Sequence, residues 1–258
     1  GHIDFLNQRW REYTGLSLAE ASGWGWCVAI HPDELPGLEN YWRSILASGQ
    51  AGEYEFRLRR VDGAYRWFLL RGVPLHKADG TLVKWYGQTT DIEDRKRAEA
   101  LLAGEKRLLE MMARGDALPL ILDALCVLVE EVAPQCLCGI LLVDATRTHL
   151  HHGAAPSLPL SYSEAIHGRP IDPEAGPCGM AAFLNEQVLA VDVASDARWR
   201  AGWGALAVAH GLRACWSTPI MSSEGTVVGT FAVYWREPGG PGPEHQNVIE
   251  RMTQLPAG

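Results

Sequence analysis

Residues 53–60, EYEFRLRR, alternate strictly: Tyr54, Phe56 and Leu58 share one side of an extended chain, and Glu55, Arg57 and Arg59 the other. That is the period of a half-buried strand. Asp62-Gly63 follows as a hairpin signal, because the dipeptide accepts the positive φ angles of a tight turn. A second strand, AYRWFLLRGVPL, leads to another Asp-Gly turn at Asp79-Gly80 and then to a third strand, TLVKWYGQTT. The pattern predicts an antiparallel meander. Upstream of it, His31-Pro32-Asp33 opens a helix carrying Leu38, Trp42 and Leu46 on one face.

From Asp91 the period changes. DIEDRKRAEALLAGEKRLLEMM is charged and helical, with Ala98, Leu101, Leu108 and Met112 at heptad-like spacing and Leu102 and Leu109 beside them. Glu105 interrupts the stripe, and Gly104 weakens the helix by about 1 kcal/mol relative to alanine. The favoured expectation is a short parallel coiled coil between two chains. The other is an amphipathic connector packed on its own domain. After Gly115-Asp116, residues Leu118, Ile121, Leu122, Leu125, Leu128, Val129 and Val132 recur at helical spacing and give a broad apolar face, with Pro119 tolerable in the first turn. Strands are expected at CLCGILLVD, VLAVDV, RACWSTPI and TVVGTFAVYW, and short helices at CGMAAFLNE and ALAVAHG. The closing stretch, EPGGPGPEHQNVIERM, reads as a Pro/Gly loop feeding a helix. The fold class is therefore α+β in two domains, 1–97 and 116–258, each a central antiparallel sheet flanked by helices, joined by a helical linker over 98–115.

Composition narrows the partners. With 258 residues and 47% hydrophobic content the chain can bury a real core, and its formal net charge of −8 repels phosphate backbones and acidic lipid. Neither nucleic-acid binding nor membrane insertion is expected, since no apolar run approaches the roughly 20 residues that span a bilayer. The chain starts Gly1-His2 rather than with methionine, which suggests an excised piece. Six cysteines without a C-x-x-C pair read as buried hydrophobes of a reducing, cytoplasmic protein.

Four stretches in order, FLNQRWREYTG, HPDE, YEFRLRRVDGAYRWFLLRGVPL and GQTTDIEDRKRAE, together resemble the C-terminal four-fifths of a PAS domain. The first strand expected before GHIDFLN is absent. Residues 116–258 resemble a GAF domain through HGAAPSLPLSY, GPCGMAA, VDVASDARW, HGLRACWSTPI and EGTVVGTFAVYWREP. The resemblance implies a PAS fold followed by a GAF fold, acting as the input and relay module of a bacterial two-component sensor histidine kinase. Such a module would dimerise through its linker helix and regulate a downstream kinase domain in cis. The alternative is the same module on a cyclic-di-GMP synthase or phosphodiesterase.

The fragment itself is expected to be non-catalytic. None of the nine histidines is followed by an acid, as a phosphoaccepting H-[ED]-x-x-[NP] motif requires, and no P-loop or ATP lid is present. No cofactor is expected: Cys27 lacks the flavin-binding context, His31 suits a turn better than a haem, no Cys-His pair marks bilin attachment, and no cyclic-nucleotide N-K-x-x-F pattern occurs. Cys178 in GPCG resembles one cysteine of the GAF proteins that reduce free methionine sulfoxide, but Cys215 lies in R-A-C-W-S-T-P-I rather than in their I-A-C-D segment. That reductase is a distant alternative, as is a redox-sensing Cys178–Cys215 pair. Cys136-x-Cys138 and His149-x-His151 could hold a metal only if their strands brought all four together, and no metal is expected. Candidate linings for a small-molecule pocket are Trp42, Phe56, Trp67 and Trp85 in the first half, and Cys178, Asp192, Trp199, His210 and Cys215 in the second. Asp91 and Ile92, at the end of the last PAS strand, are candidates to couple the sheet to the outgoing helix, and Leu101 and Leu108 to carry the signal along it. Asp196 joins Asp192 as a polar residue of the second-half loops.

Overall fold

The computed structural model describes residues 3–133, 135–199, 202–242, 246 and 249. The chain divides into two compact units, residues 1–99 and 100–258. The helix expected near the C-terminus lies outside the described residues apart from Gln246 and Ile249.

In the first unit, α1 (Gln8–Thr14), α2 (Leu18–Ala21), a 3-10 turn (Gly25–Ala29) and α3 (Leu35–Ser48) precede a sheet of β1 (Gly52–Arg59), β2 (Tyr65–His76) and β3 (Leu82–Asp91). The short helices are started by side chains: Asn7 accepts the Trp10 N–H, and Ser17 and Glu20 form a reciprocal capping box. The sheet is the expected antiparallel meander, in the order β1-β2-β3. Both turns use their Asp-Gly pairs as anticipated. Gly63 and Gly80 sit at φ 89° and 84°, and Asp62 and Asp79 accept the N–H groups of Ala64 and Thr81. Phe56 and Leu58 are buried with Phe68, Leu70, Leu38, Ala21 and Trp26.

One detail of α3 differs from its sequence pattern. Its buried residues are Leu38 and Ile45, with Tyr41 and Trp42 half-buried, while Leu46 is exposed. The helix rests on Gly72 of β2, where a Cβ would lie 2.8 Å from the Ile45 Cδ1. Seating Ile45 there turns Leu46, about 100° further round the helix, toward solvent.

α4 (Glu93–Arg114) begins in the first unit and continues in the second. The second unit then runs α5 (Leu118–Val132), β4 (Cys136–Val143), β5 (His149–Ala154), α6 (Leu160–Ile166), β6 (Arg169–Pro170), a 3-10 turn (Pro173–Ala175), α7 (Pro177–Leu184), β7 (Val188–Ala190), α8 (Trp203–Ala209), β8 (Ala214–Met221) and β9 (Val227–Trp235). Six antiparallel strands lie in the order β6-β5-β4-β9-β8-β7. Strand alternation makes two cores from one sheet. Cys136, Cys138, Ile140, Trp216, Phe231 and Val233 face the α4/α5 layer, and Leu141, Cys215, Ala232 and Tyr234 face the layer of α6–α8.

The stripe expected to face a second chain is split. Leu101, Leu108 and Met111 are buried in the core that also holds Ile121, Leu128 and Val132 of α5, whereas Ala98, Leu102, Leu109 and Met112 are exposed. The reason is the tight link at Gly115–Ala117, which folds α5 back as a partner within the same chain. Leu101 and Leu108 therefore serve the second unit's own core and not an interchain seam. Gly104 has its explanation here: a Cβ would lie 2.2 Å from Leu128 Cδ1, so the two helices touch at that level.

The four metal-spaced residues do not converge. Cys136 and Cys138 pair with Trp235 and Val233 of β9 and are buried on the α5 side, while His151 lies opposite Leu142 and His149 is exposed. His151 Nδ1 instead meets His167 Nε2 at 3.3 Å.

Candidate functional site

The end of β3 and the first turn of α4 are tied to one residue of β2. The Ile92 N–H donates to the Trp67 carbonyl at 2.9 Å, and the Trp67 N–H donates to Glu93 Oε2 at 2.8 Å. Asp91 Oδ1 accepts the Glu93 N–H at 2.9 Å, satisfying one of the helix's unpaired donors, and Asp91 Oδ2 lies 3.3 Å from Arg66 Nε. Ile92 is buried. Asp91 and Ile92, the residues expected to couple sheet and helix, lie at the junction of β3 and α4, and Glu93 beside them adds a side-chain bond to β2.

Trp67, a candidate pocket lining, carries two cations over its ring. It stands opposite Arg57 on the face of the sheet away from α3, with the Arg57 guanidinium 5.5 Å and the Lys96 ammonium 5.0 Å from its ring centre. Period two explains the placement: Phe56 and Phe68 point toward α3, so Arg57 and Trp67 point the other way. Lys96 and Arg95 also pair with Glu55, and these two cations hold its carboxyl below the usual carboxylate range. Glu55, Glu93, Arg95 and Lys96 were not singled out in the sequence. They sit in charged runs, and the pairing across 40 residues leaves no local signal.

On the α3 face, Phe56 is core, Trp42 stands over Gly72, and Trp85 lies further along β3 opposite Pro74. At the start of α3, His31, Asp33 and Glu34 place ligand atoms within 4.8 Å of one another. Arg57 pairs with both carboxylates, with its Nε 3.0 Å from Glu34 Oε1, so the group fastens the start of α3 to β1.

In the second unit, the α6–α8 face closes over aromatic residues. Trp203 Nε1 donates to Tyr162 Oη at 2.9 Å, Tyr162 stacks edge-on with Tyr234 at 5.6 Å, and Trp199 with Trp203 at 5.8 Å. Trp203 lies so close to Gly176 that a Cβ there would be 2.6 Å from its ring. The remaining cavity, bordered by Cys178, Trp203 and Tyr234, is about 10 Å³, room for one water at most. Cys178 Sγ lies 3.9 Å from Tyr234 Oη, and Cys215 pairs across the ladder with Tyr234. Burial pushes both thiols above the ordinary cysteine value.

The other candidates hold loops. Asp192 accepts from Arg213 at 2.9 Å and from Ser195 Oγ at 3.0 Å, and the Arg213 guanidinium keeps its carboxyl low. Asp196 accepts from the Arg198 backbone and side chain, and Arg198 reaches the Leu189 carbonyl. The Trp199 indole donates to the Pro173 carbonyl at 2.8 Å. His210 Nδ1 is 2.9 Å from the Leu206 carbonyl and must donate there, which leaves Nε2 to accept from Ser161 Oγ at 3.0 Å. The structure places Cys178, Cys215 and Trp199 in one buried core with Tyr234, while Asp192 and His210 lie outside that core.

A family model described as PAS fold matches residues 3–89, and one described as GAF domain matches residues 116–256, more than half of the chain. The chain belongs to the GAF family, with a PAS fold ahead of it. Over 230 residues the chain is 33% identical to the methyl sulfide methyltransferase-associated sensor of Methanosarcina acetivorans, covering 88% of this chain and 23% of that protein. Over 99 residues it is 38% identical to the peroxide stress-activated histidine kinase mak1 of Schizosaccharomyces pombe, covering 38% of this chain and 6% of the kinase. The chain spans less than a quarter of the length of these curated relatives. Among solved structures, the GAF domain of a phosphoenolpyruvate-protein phosphotransferase from Coxiella burnetii is similar with TM-score 0.48 and 14% identity, covering 61% of this chain and 90% of that one. The reduced form of fRMsr of Staphylococcus aureus is similar with TM-score 0.47 and 16% identity, covering 60% and 90%. The PAS–GAF chain is thus related to sensor proteins. Among its described residues no helix is long and apolar enough to cross a membrane.

Proposed function

We propose that this PAS–GAF chain is the sensory input and relay module of a two-component histidine kinase, cytoplasmic, acting in cis on the autophosphorylation of a kinase core. The observation that carries the reading is the double grip on Trp67, whose carbonyl and N–H are taken by Ile92 and Glu93. A change in the PAS sheet that moves β2 must then move the first turn of α4. The same helix supplies Leu101, Leu108 and Met111 to the GAF core, so sheet and GAF core are two ends of one element that can be biased between arrangements. The kinship with histidine kinases supports the choice of output. On the GAF face, a small-molecule signal has to displace Trp203 from Tyr162 to make room, and Cys178 and Cys215 would border the space it opens.

The test uses the intact protein that carries this chain. Asp91→Ala and Glu93→Ala should each change basal autophosphorylation by about threefold or more while the GAF domain stays folded. Unaltered phosphorylation in both folded variants overturns the reading.

A further inference from the structure

Two hydrogen bonds join α6 to α8. In one, the Trp203 indole donates to Tyr162 Oη at 2.9 Å, and both residues are buried. In the other, Ser161 on α6 and His210 at the end of α8 place Oγ and Nε2 3.0 Å apart. Here Ser161 is exposed and His210 half-buried, so small molecules reach the hydroxyl. The pair is 49 residues apart in sequence, and no local motif marks it.

The imidazole is held in the tautomer and direction that a general base needs. Its Nδ1 carries the proton and donates it to the Leu206 carbonyl at 2.9 Å. Nε2 therefore presents its lone pair to the Ser161 hydroxyl. The Tyr162 ring lies 5.5 Å from the His210 ring, and Trp203 holds Tyr162 in turn, so the imidazole rests against a fixed, buried side chain. A serine in contact with a base, and the base in contact with a third group that orients it, is the arrangement that activates a hydroxyl nucleophile. A backbone carbonyl fills the orienting place in this chain.

The dyad removes the proton of the attacking oxygen, and can return it to a departing one. That suits an acyl donor whose leaving group departs readily. We propose that Ser161, activated by His210, is an acyl acceptor for small activated carboxylic esters. Ser161 Oγ bonds to the ester carbonyl carbon as its proton passes to His210 Nε2. The bond from that carbon to the leaving oxygen then breaks, its electron pair stays on the oxygen, and the oxygen takes the proton from Nε2. The products are an ester on Ser161 and a free alcohol, with His210 neutral again. Once acylated, Ser161 has no hydrogen to give His210, so one of the two bonds between α6 and α8 is lost beside Tyr162. This activity goes beyond the relay reading and is measured without reference to kinase output.

The experiment mixes p-nitrophenyl acetate with the intact 258-residue chain and follows acetylation by peptide mass spectrometry. Ser223, exposed in the turn between β8 and β9, is the internal control. Ser161 should be acetylated about 100-fold or more faster than Ser223, the usual gain from a positioned base. His210→Gln, which keeps a hydrogen-bonding side chain but has no base, should bring Ser161 down to the rate of Ser223, with circular dichroism checking that the variant is folded. Equal rates at Ser161 and Ser223 in the wild-type chain overturn the proposal without any variant. A folded His210→Gln chain acetylated at Ser161 as fast as wild type overturns it equally.

Discussion

The Trp67 backbone N–H and the Glu93 carboxylate are joined at 2.8 Å across 26 residues of sequence, linking the middle strand of the PAS sheet to the helix that leaves it. Glu93 is itself positioned by Asp91, which caps its N–H, and by Arg97 one turn later, whose Nε lies 3.2 Å from Glu93 Oε1. A carboxylate at a helix start is favoured by the helix dipole as well as by these donors.

Removing that acceptor leaves the Trp67 N–H without its partner. Glu93→Ala should destabilise the PAS domain by about 1–3 kcal/mol, the usual range for an orphaned, partly buried donor. Glu93→Gln, which keeps a carbonyl oxygen, should lose less. Urea unfolding followed by tryptophan fluorescence measures both, and equal losses would count against the hydrogen bond as the cause.

Gly104→Ala sets two effects against each other. Helix propensity favours alanine by about 1 kcal/mol, but the new Cβ meets Leu128 in a packed core, where overpacking costs about 1–3 kcal/mol. Net destabilisation is expected in thermal unfolding. A clear rise in melting temperature would show that α4 and α5 do not touch at this level.

The cysteines should react in two classes. Cys27 is half-buried, whereas Cys126, Cys136, Cys138, Cys178 and Cys215 are buried. Burial raises the thiols of Cys27, Cys126, Cys138, Cys178 and Cys215 alike, so access to the reagent sets the order of reaction. A thiol reagent should modify Cys27 first in the native chain and the other five only on unfolding. Rapid labelling of Cys178, or its oxidation to a disulfide with Cys215, would revive the redox reading.

Acid should destabilise the chain in a defined window. Asp62 is lowered to about 2 by Arg60 and the Ala64 N–H, against about 4 in an unfolded chain. Its contribution is complete above about 4 and disappears as pH falls toward about 2. Asp144, lowered to about 2 with the Thr146 hydroxyl as main cause, follows the same course. Melting temperature should therefore drop between these values, and Asp62→Asn should flatten part of the drop. A variant curve parallel to wild type would remove Asp62 from the explanation.

The sequence was most legible where one strand or helix carries its own period. EYEFRLRR, both Asp-Gly turns and the apolar face of α5 are visible because neighbouring residues alone set them. The junction at Asp91 and Ile92 was visible for the same reason, since period two gives way to a helix there. Three things were not legible. Trp67 has the composition of a pocket residue, and its side of the sheet follows only from the register with β1. Leu101 and Leu108 match a heptad whether the partner is another chain or α5, and the choice depends on how the link at Gly115–Ala117 folds. Glu55, Glu93, Arg95 and Lys96 work as a group only once β1 and α4 are adjacent.

The central claim is that the PAS sheet and the GAF core communicate through α4. Hydrogen–deuterium exchange on the wild-type chain and on Glu93→Ala tests it most directly. The account predicts that the substitution, made in the first turn of α4, raises exchange not only near Trp67 but also along residues 101–114 and in α5. Altered exchange confined to residues 1–99, with α5 unchanged, would contradict it.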